Sequence, residues 1–323
     1  MTAGPAVAGA STAAPAHAPQ SGVLLAGRPV PAAVLGALAI AFSAILVRLA
    51  AEAPATAAVF RCLYALPVLA VLAAVERRRL GSRTARQRRL ALVAGAFLAV
   101  DLVAWHYSIE AVGAGLATVL ANLQVVLVAL GAWLALAERP HPRVLLAVPV
   151  VLVGVVLISG VVGEGAYGAD PALGVAFGVG TAIAYTGFIL LLRQGSRGYP
   201  GPAGPLFDAT VATTVVALLI GLAVGDVDLV PSWPSHGWLV ALALTSQVLG
   251  WLLISTSLPR LPAALTGVLL TVQPVGSVAL GVMLLAEAPS AWQLGGVAVI
   301  VGGILLATVR GSAASTAGAD ARR

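Results

Sequence analysis

The chain has 323 residues, 60% of them hydrophobic and only 9% charged, against about 25% charged in an ordinary soluble domain, so a water-exposed globular surface is excluded. The net charge of +6 comes from arginine alone, and those arginines sit mostly in short connections between apolar runs. That placement fits orientation in a bilayer rather than binding to nucleic acid.

Residues 1–30 are rich in Ala, Pro, Ser and Gly and are expected to form a disordered cytoplasmic tail. They lack the basic start and long apolar core of a signal peptide. Apolar runs of about 20 residues then recur, the length a helix needs to cross ~30 Å of hydrocarbon. The alternating ten-residue segments of a β-barrel are absent. The predicted fold class is all-α: a polytopic membrane protein with ten transmembrane helices in two inverted five-helix repeats. The spans fall at about 31–50, 54–75, 89–109, 113–137, 143–162, 171–192, 205–224, 236–257, 261–286 and 290–310. The first repeat covers 31–162, the second 171–310, and 311–323 form a second cytoplasmic tail. Short Gly- and Pro-rich connections predict antiparallel neighbours.

The arginines test this order. The connection ERRRLGSRTARQRR (76–89) holds seven of them, and alternate connections hold sixteen of the eighteen. The opposite connections carry Glu52, Glu110, Glu164, Asp170, Asp226, Asp228 and Glu287 and no arginine. Both termini are therefore expected in the cytoplasm. The two exceptions, Arg48 and Arg61, lie inside the first two spans.

Charges inside spans are costly, about 2.5–3.5 kcal/mol at mid-bilayer on insertion scales, and mark candidate functional residues. Arg61 and Asp101 lie at similar depth, ~12 Å from the outer end at 1.5 Å per residue, so a direct pair between them is expected. Asp101, Trp105 and Ser108 share one face of the third span, while His106 and Glu110 share the opposite one. His106 and Glu110 are close enough to the boundary to be interfacial, and Asp208 is expected at the inner interface. A histidine of ordinary pKa titrates near neutrality, which makes His106 a proton-coupling candidate beside Asp101. Further polar stripes are Thr118 with Asn122, Thr181 with Tyr185 and Phe188, Gln247 with Trp251, and Thr266 with Gln273 and Ser277. Glu138 and Glu287, beside Pro140 and Pro289, read as turn residues, with gating as the sharper alternative. The single Cys62 excludes an intrachain disulfide, and the scattered histidines argue against a metal site.

The chain repeats itself. LATVLANLQVVLVALGAWLALAERP (116–140) matches LTGVLLTVQPVGSVALGVMLLAEAP (265–289) without a gap. Five helices per repeat is an odd number, so the halves enter the membrane from opposite sides, an arrangement suited to alternating access. Together with SAILVRLAAEAPATAAVFRCLYALPVL (43–69), AWHYSIEAVGAGLATVLANLQ (104–124) and PAALTGVLLTVQP (262–274), these segments resemble the EamA family of the drug/metabolite transporter superfamily. The resemblance implies a ten-helix inner-membrane carrier that moves small metabolites, often outward and without ATP. It also implies a central cavity lined by helices 1–4 and 6–9, with helices 5 and 10 peripheral. One departure is Gln124-Val125 where the second repeat has Gln273-Pro274, which predicts a straighter fourth helix than ninth.

The function expected is secondary active transport by alternating access, exporting small metabolites such as amino acids or amphipathic compounds. The substrate-binding set is Arg61, Asp101, Trp105, Asn122, Tyr185, Gln247, Trp251 and Gln273, with Asp101 and His106 as proton-coupling candidates. No catalytic residue, metal or cofactor is expected, and no nucleotide-binding motif occurs, which argues against direct ATP drive. Expected partners are a small-molecule substrate, membrane lipids and protons, in a monomer or homodimer of a bacterial cytoplasmic membrane. An intramembrane lipid-modifying enzyme and a non-transporting receptor or scaffold are the rival readings.

Overall fold

The computed structural model describes residues 28–137, 139–257 and 272–308. Glu138 and Thr266 lie outside the described residues. Those described form helices and connecting turns, and no strand occurs among them. Helices α1 (Pro29–Ala41) and α2 (Ser43–Ala50) follow one another, then α3 (Pro54–Leu80) and α4 (Ala85–Val112). Next come α5 (Ala114–Ala121), α6 (Gln124–Leu136), α7 (Pro142–Ile158), α8 (Pro171–Gly195) and α9 (Ala203–Val224). Helix α10 (Ser235–Leu242) runs through a π-helical turn (Ala243–Gly250) into α11 (Trp251–Ser257), and α12 (Val272–Leu285) and α13 (Ala291–Thr308) complete the set. Among the described residues seven helical stretches are long and apolar enough to cross a membrane, and Pro142–Ile158, Val272–Leu285 and Ala291–Ala307 are shorter apolar helices.

Local chemistry explains the helix ends. Proline opens α1, α3, α7 and α8, where its missing N–H costs nothing. Thr84 and Gln87 close a reciprocal capping box at the start of α4. Carboxylates reaching from other helices do the rest. Glu76, on α3, accepts from Ala203 N (2.9 Å) and Gly204 N (2.8 Å) at the start of α9. Asp226, just past the end of α9, accepts from Ala55 N (3.3 Å) at the start of α3. The antiparallel α3 and α9 thus cap each other's first turn, where orphan N–H groups and the helix dipole favour a negative charge. These paired caps occupy corresponding places in the two halves of the sequence.

Glycine lets helices meet closely. At Gly95 of α4 an added Cβ would overlap the Ala209 carbonyl of α9. In α7 and α13, Gly154 and Gly296 face each other, with a Cβ at Gly296 only 2.7 Å from the Gly154 carbonyl. That backbone-to-backbone fit is how small residues pack helices in a lipid setting. Helices α7 and α13 pack chiefly on one another.

Three places carry detail that the sequence does not show. The fourth apolar stretch breaks at Asn122–Leu123, between α5 and α6, with no proline at the break, while the ninth, expected to be less straight, lies partly outside the described residues. Thr118 Oγ1 donates to the Ala114 carbonyl (2.9 Å) and Asn122 Nδ2 to the Thr118 carbonyl (2.8 Å), the back-bonding that bends helices. His106 is buried in protein, its Nδ1 donating to the Pro54 carbonyl at the α2–α3 turn (2.9 Å). Asp208 is also buried in protein, ion-paired to Arg83 at 2.7 Å and approached by Arg88 at 3.5 Å, both from the arginine-rich connection.

Candidate functional site

Bends and breaks in several helices meet around a compact cavity of about 80 Å³. Ile40 and Ser43 reach it from the bend between α1 and α2, Arg61 from α3, and Leu98, Asp101, Leu102 and Trp105 from α4. Thr118, Ala121, Asn122 and Gln124 line it from the break between α5 and α6. Tyr185 of α8, Ser246 of the π-helical turn, Trp251 of α11 and Gln273 of α12 complete the wall. The bend at α1 is held by two hydroxyls: Ser43 Oγ donates to the Ile40 carbonyl (2.6 Å) and Ser277 Oγ to the Ala41 carbonyl (2.9 Å). Carbonyls freed by a bend inside a membrane need such donors.

Arg61 is the most telling group. It is 3% exposed, yet its Nε and Nη1 have no hydrogen-bond partner. Its Nη2 donates a long hydrogen bond to Gln247 Oε1 (3.4 Å), and the guanidinium lies 5.8 Å from the centre of the Trp105 ring. The indole Nε1 of Trp105 is also unpartnered. A buried cation with idle donors is costly unless something else supplies acceptors. Asp101 interacts electrostatically with Arg61, but the expected direct ion pair does not form. Their carboxylate and guanidinium are separate features of one cavity wall, because Gln247 holds the Arg61 head. Trp251 meets Phe188 edge-on at 5.4 Å and Tyr185 at 6.0 Å, so the aromatic wall is braced from behind.

Seven of the eight residues singled out from sequence line this cavity, and Gln247 does not. Gln247 stands behind Arg61, with Nε2 reaching Thr210 Oγ1 of α9 (3.4 Å). The reason is the π-helical turn. Ser246 and Trp251, five residues apart, face the cavity together where ordinary helical spacing pairs Gln247 with Trp251. Ser246 and Ser43 were not legible as site residues, since nothing in a single serine marks a π-turn or a bend. His106 does not line the cavity, and its Nε2 is unpartnered. Ser108 and Thr181 bond neighbouring backbones, at the Gly174 carbonyl (2.8 Å) and the Asp101 carbonyl (3.2 Å). Helix α9 contributes no side chain to the wall, against the resemblance's implication for helix 7.

Away from the cavity, Glu287 is buried against the start of α5. Its Oε1 accepts from Ala114 N (2.6 Å) and Oε2 from Gly115 N (3.1 Å). Gly281 leaves the room it needs, since a Cβ there would overlap Oε2. Burial and the Glu287 charge raise the pKa of the nearby Tyr167 phenol above its ordinary value. Gln293 clamps the connection after α7, donating to the Ile158 (3.3 Å) and Tyr167 (2.9 Å) carbonyls. Among the described residues no three His, Cys, Asp or Glu side chains gather as metal ligands.

The EamA-like transporter family model matches the chain twice, over residues 28–160 and 172–309. The chain belongs to the EamA-like transporter family. It is therefore a multi-pass membrane protein of the drug/metabolite transporter superfamily, a family of transporters rather than enzymes. No curated protein matches it. A solved structure described as "Crystal structure of protein" is similar over 87% of this chain and 97% of its own, with 17% identity and a TM-score of 0.58. That likeness concerns the fold alone.

Proposed function

We propose that this chain is a secondary active transporter that exports a small amphipathic zwitterion of amino-acid size by alternating access. Its two halves, 31–162 and 171–310, act as inverted five-helix repeats, with ten crossings and both termini in the cytoplasm of a bacterial cell. The observation that carries the reading is Arg61: a buried guanidinium with two idle nitrogens on a cavity wall that also holds Asp101. A carboxylate group on the substrate satisfies Arg61, and an ammonium group satisfies Asp101. The aromatic surfaces of Trp105, Tyr185 and Trp251 receive the apolar part, while Asn122 and Gln273 offer directional hydrogen bonds. Asp101 is the proton-coupling residue of this reading, because it lines the cavity and His106 does not.

Counterflow in proteoliposomes tests it. Labelled amino acids exchanging across the bilayer support the reading, with Arg61→Ala and Asp101→Asn each lowering the rate at least tenfold while the protein still melts cooperatively. Unchanged exchange in both variants rejects the assignment of these residues. Absence of exchange for every zwitterion tried rejects the substrate class.

A further inference from the structure

A second cavity lies on the side of the protein that carries the arginine-rich connection. It has a volume of about 360 Å³ and lies between the end of α3, the 81–88 segment and the start of α9. Arg77, Arg83 and Arg88 line it, with Asp208, Tyr199 and the backbone at Gly204. The Arg83 side chain is 9% exposed, held by Asp208 at 2.7 Å and set 5.8 Å from the Tyr199 ring centre. Even so, its Nη1 has no partner. Asp208 is thus occupied, and Glu76 is engaged with Ala203 N and Gly204 N. Three guanidiniums face one lining carboxylate, and two of the three, Arg77 and Arg88, are exposed. Arg88 approaches Asp208 only at 3.5 Å. This is a cavity with an excess of positive charge, a preplaced planar fork and an idle donor, at the boundary where apolar helices give way to charged connections.

We infer that this cavity binds a phosphate-bearing anion, seated on Arg83 and closed over by Arg77 and Arg88. Guanidinium forks match phosphate oxygens bidentately, and exposed arginines beside a fixed one can close on the ligand. Basic pockets between helices at this level take anionic lipid headgroups by the same chemistry that takes free phosphate. The site is separate from the cavity around Arg61, so neither reading depends on the other.

The full chain is purified in detergent and probed with inorganic phosphate, with chloride at equal ionic strength as the control. In parallel it is placed in phosphatidylcholine vesicles with and without phosphatidylglycerol, and retained lipid is read by native mass spectrometry. Arg77→Gln/Arg88→Gln is compared with Arg78→Gln/Arg86→Gln, which removes the same charge from positions that do not line the cavity. The cavity pair is expected to weaken binding about tenfold and the control pair less than twofold. Stabilisation by phosphate alone identifies a free anion as the ligand, and retention of phosphatidylglycerol alone identifies a lipid headgroup. Equal losses in the two pairs overturn the site, as does failure of the parent protein to bind either probe. Because Arg77 and Arg88 are exposed, both variants should fold, and melting checks that they do.

Discussion

Glu287 offers the sharpest test of how the helices are held together. It accepts two backbone N–H groups at the first turn of α5, at 2.6 and 3.1 Å, and is 3% exposed. Hydrogen bonds to a charged group contribute about 1.5–3 kcal/mol each. The helix dipole adds about 0.3–1 kcal/mol for a carboxylate at this end, and up to ~2 kcal/mol where it is partly buried. Water admitted to the vacated space returns part of this, since it can accept from the freed N–H groups. Glu287→Ala is therefore expected to lose about 3–5 kcal/mol, towards the lower end of the sum of two such hydrogen bonds and the dipole. Glu287→Gln should also lose stability, because one end of the amide is a donor facing a donor. The assay is denaturant titration of the purified protein in mixed micelles, followed by helical circular dichroism. A loss below about 0.5 kcal/mol for Glu287→Ala would refute the reasoning, because it would show that the carboxylate is replaced by solvent without cost.

The same contacts lead to other expected outcomes. Removing only one partner of the Arg83–Asp208 pair, as in Asp208→Ala, should cost about 3–5 kcal/mol, and Arg83→Leu/Asp208→Leu should cost clearly less than the sum of the single changes, as a double-mutant cycle would read. Gly95→Ala forces a methyl group onto the Ala209 carbonyl and should lower the melting temperature, with a loss of about 1–3 kcal/mol for the strain. Ser246→Leu projects bulk into the cavity of about 80 Å³ and should cut exchange in proteoliposomes with little change in melting, whereas Thr245→Leu, on an exposed position one residue away, should leave exchange intact.

Much of the site could be read from residue type alone. Asp101, Trp105, Thr118 and Asn122 stand out because polar groups are rare in apolar spans, and ordinary helical spacing puts them on common faces. The same reasoning misassigned Gln247, since a π-helical turn adds residues per turn and rotates the side chains beyond it. His106 and Asp208 were placed at the interface by their distance from span ends. That distance speaks to depth alone; the structure adds that protein covers both, with a carbonyl at Pro54 and a guanidinium at Arg83 reaching them from elsewhere in the chain. A distance along one helix carries no information about which neighbour packs over it.

The sequence by itself determined the kind of molecule and the order of its parts. Hydropathy acts residue by residue against a slab of fixed thickness, so apolar runs, their arginine-bearing ends and the duplicated segment are legible without any contact. Only the tertiary structure decided where helices bend, which polar groups face a common space, and which carboxylate seats on which helix end. Those outcomes depend on the rotation and approach of neighbouring helices. In apolar surroundings that approach is set by packing at residues such as Gly95, Gly154 and Gly281, and by polar groups finding partners far away in the chain.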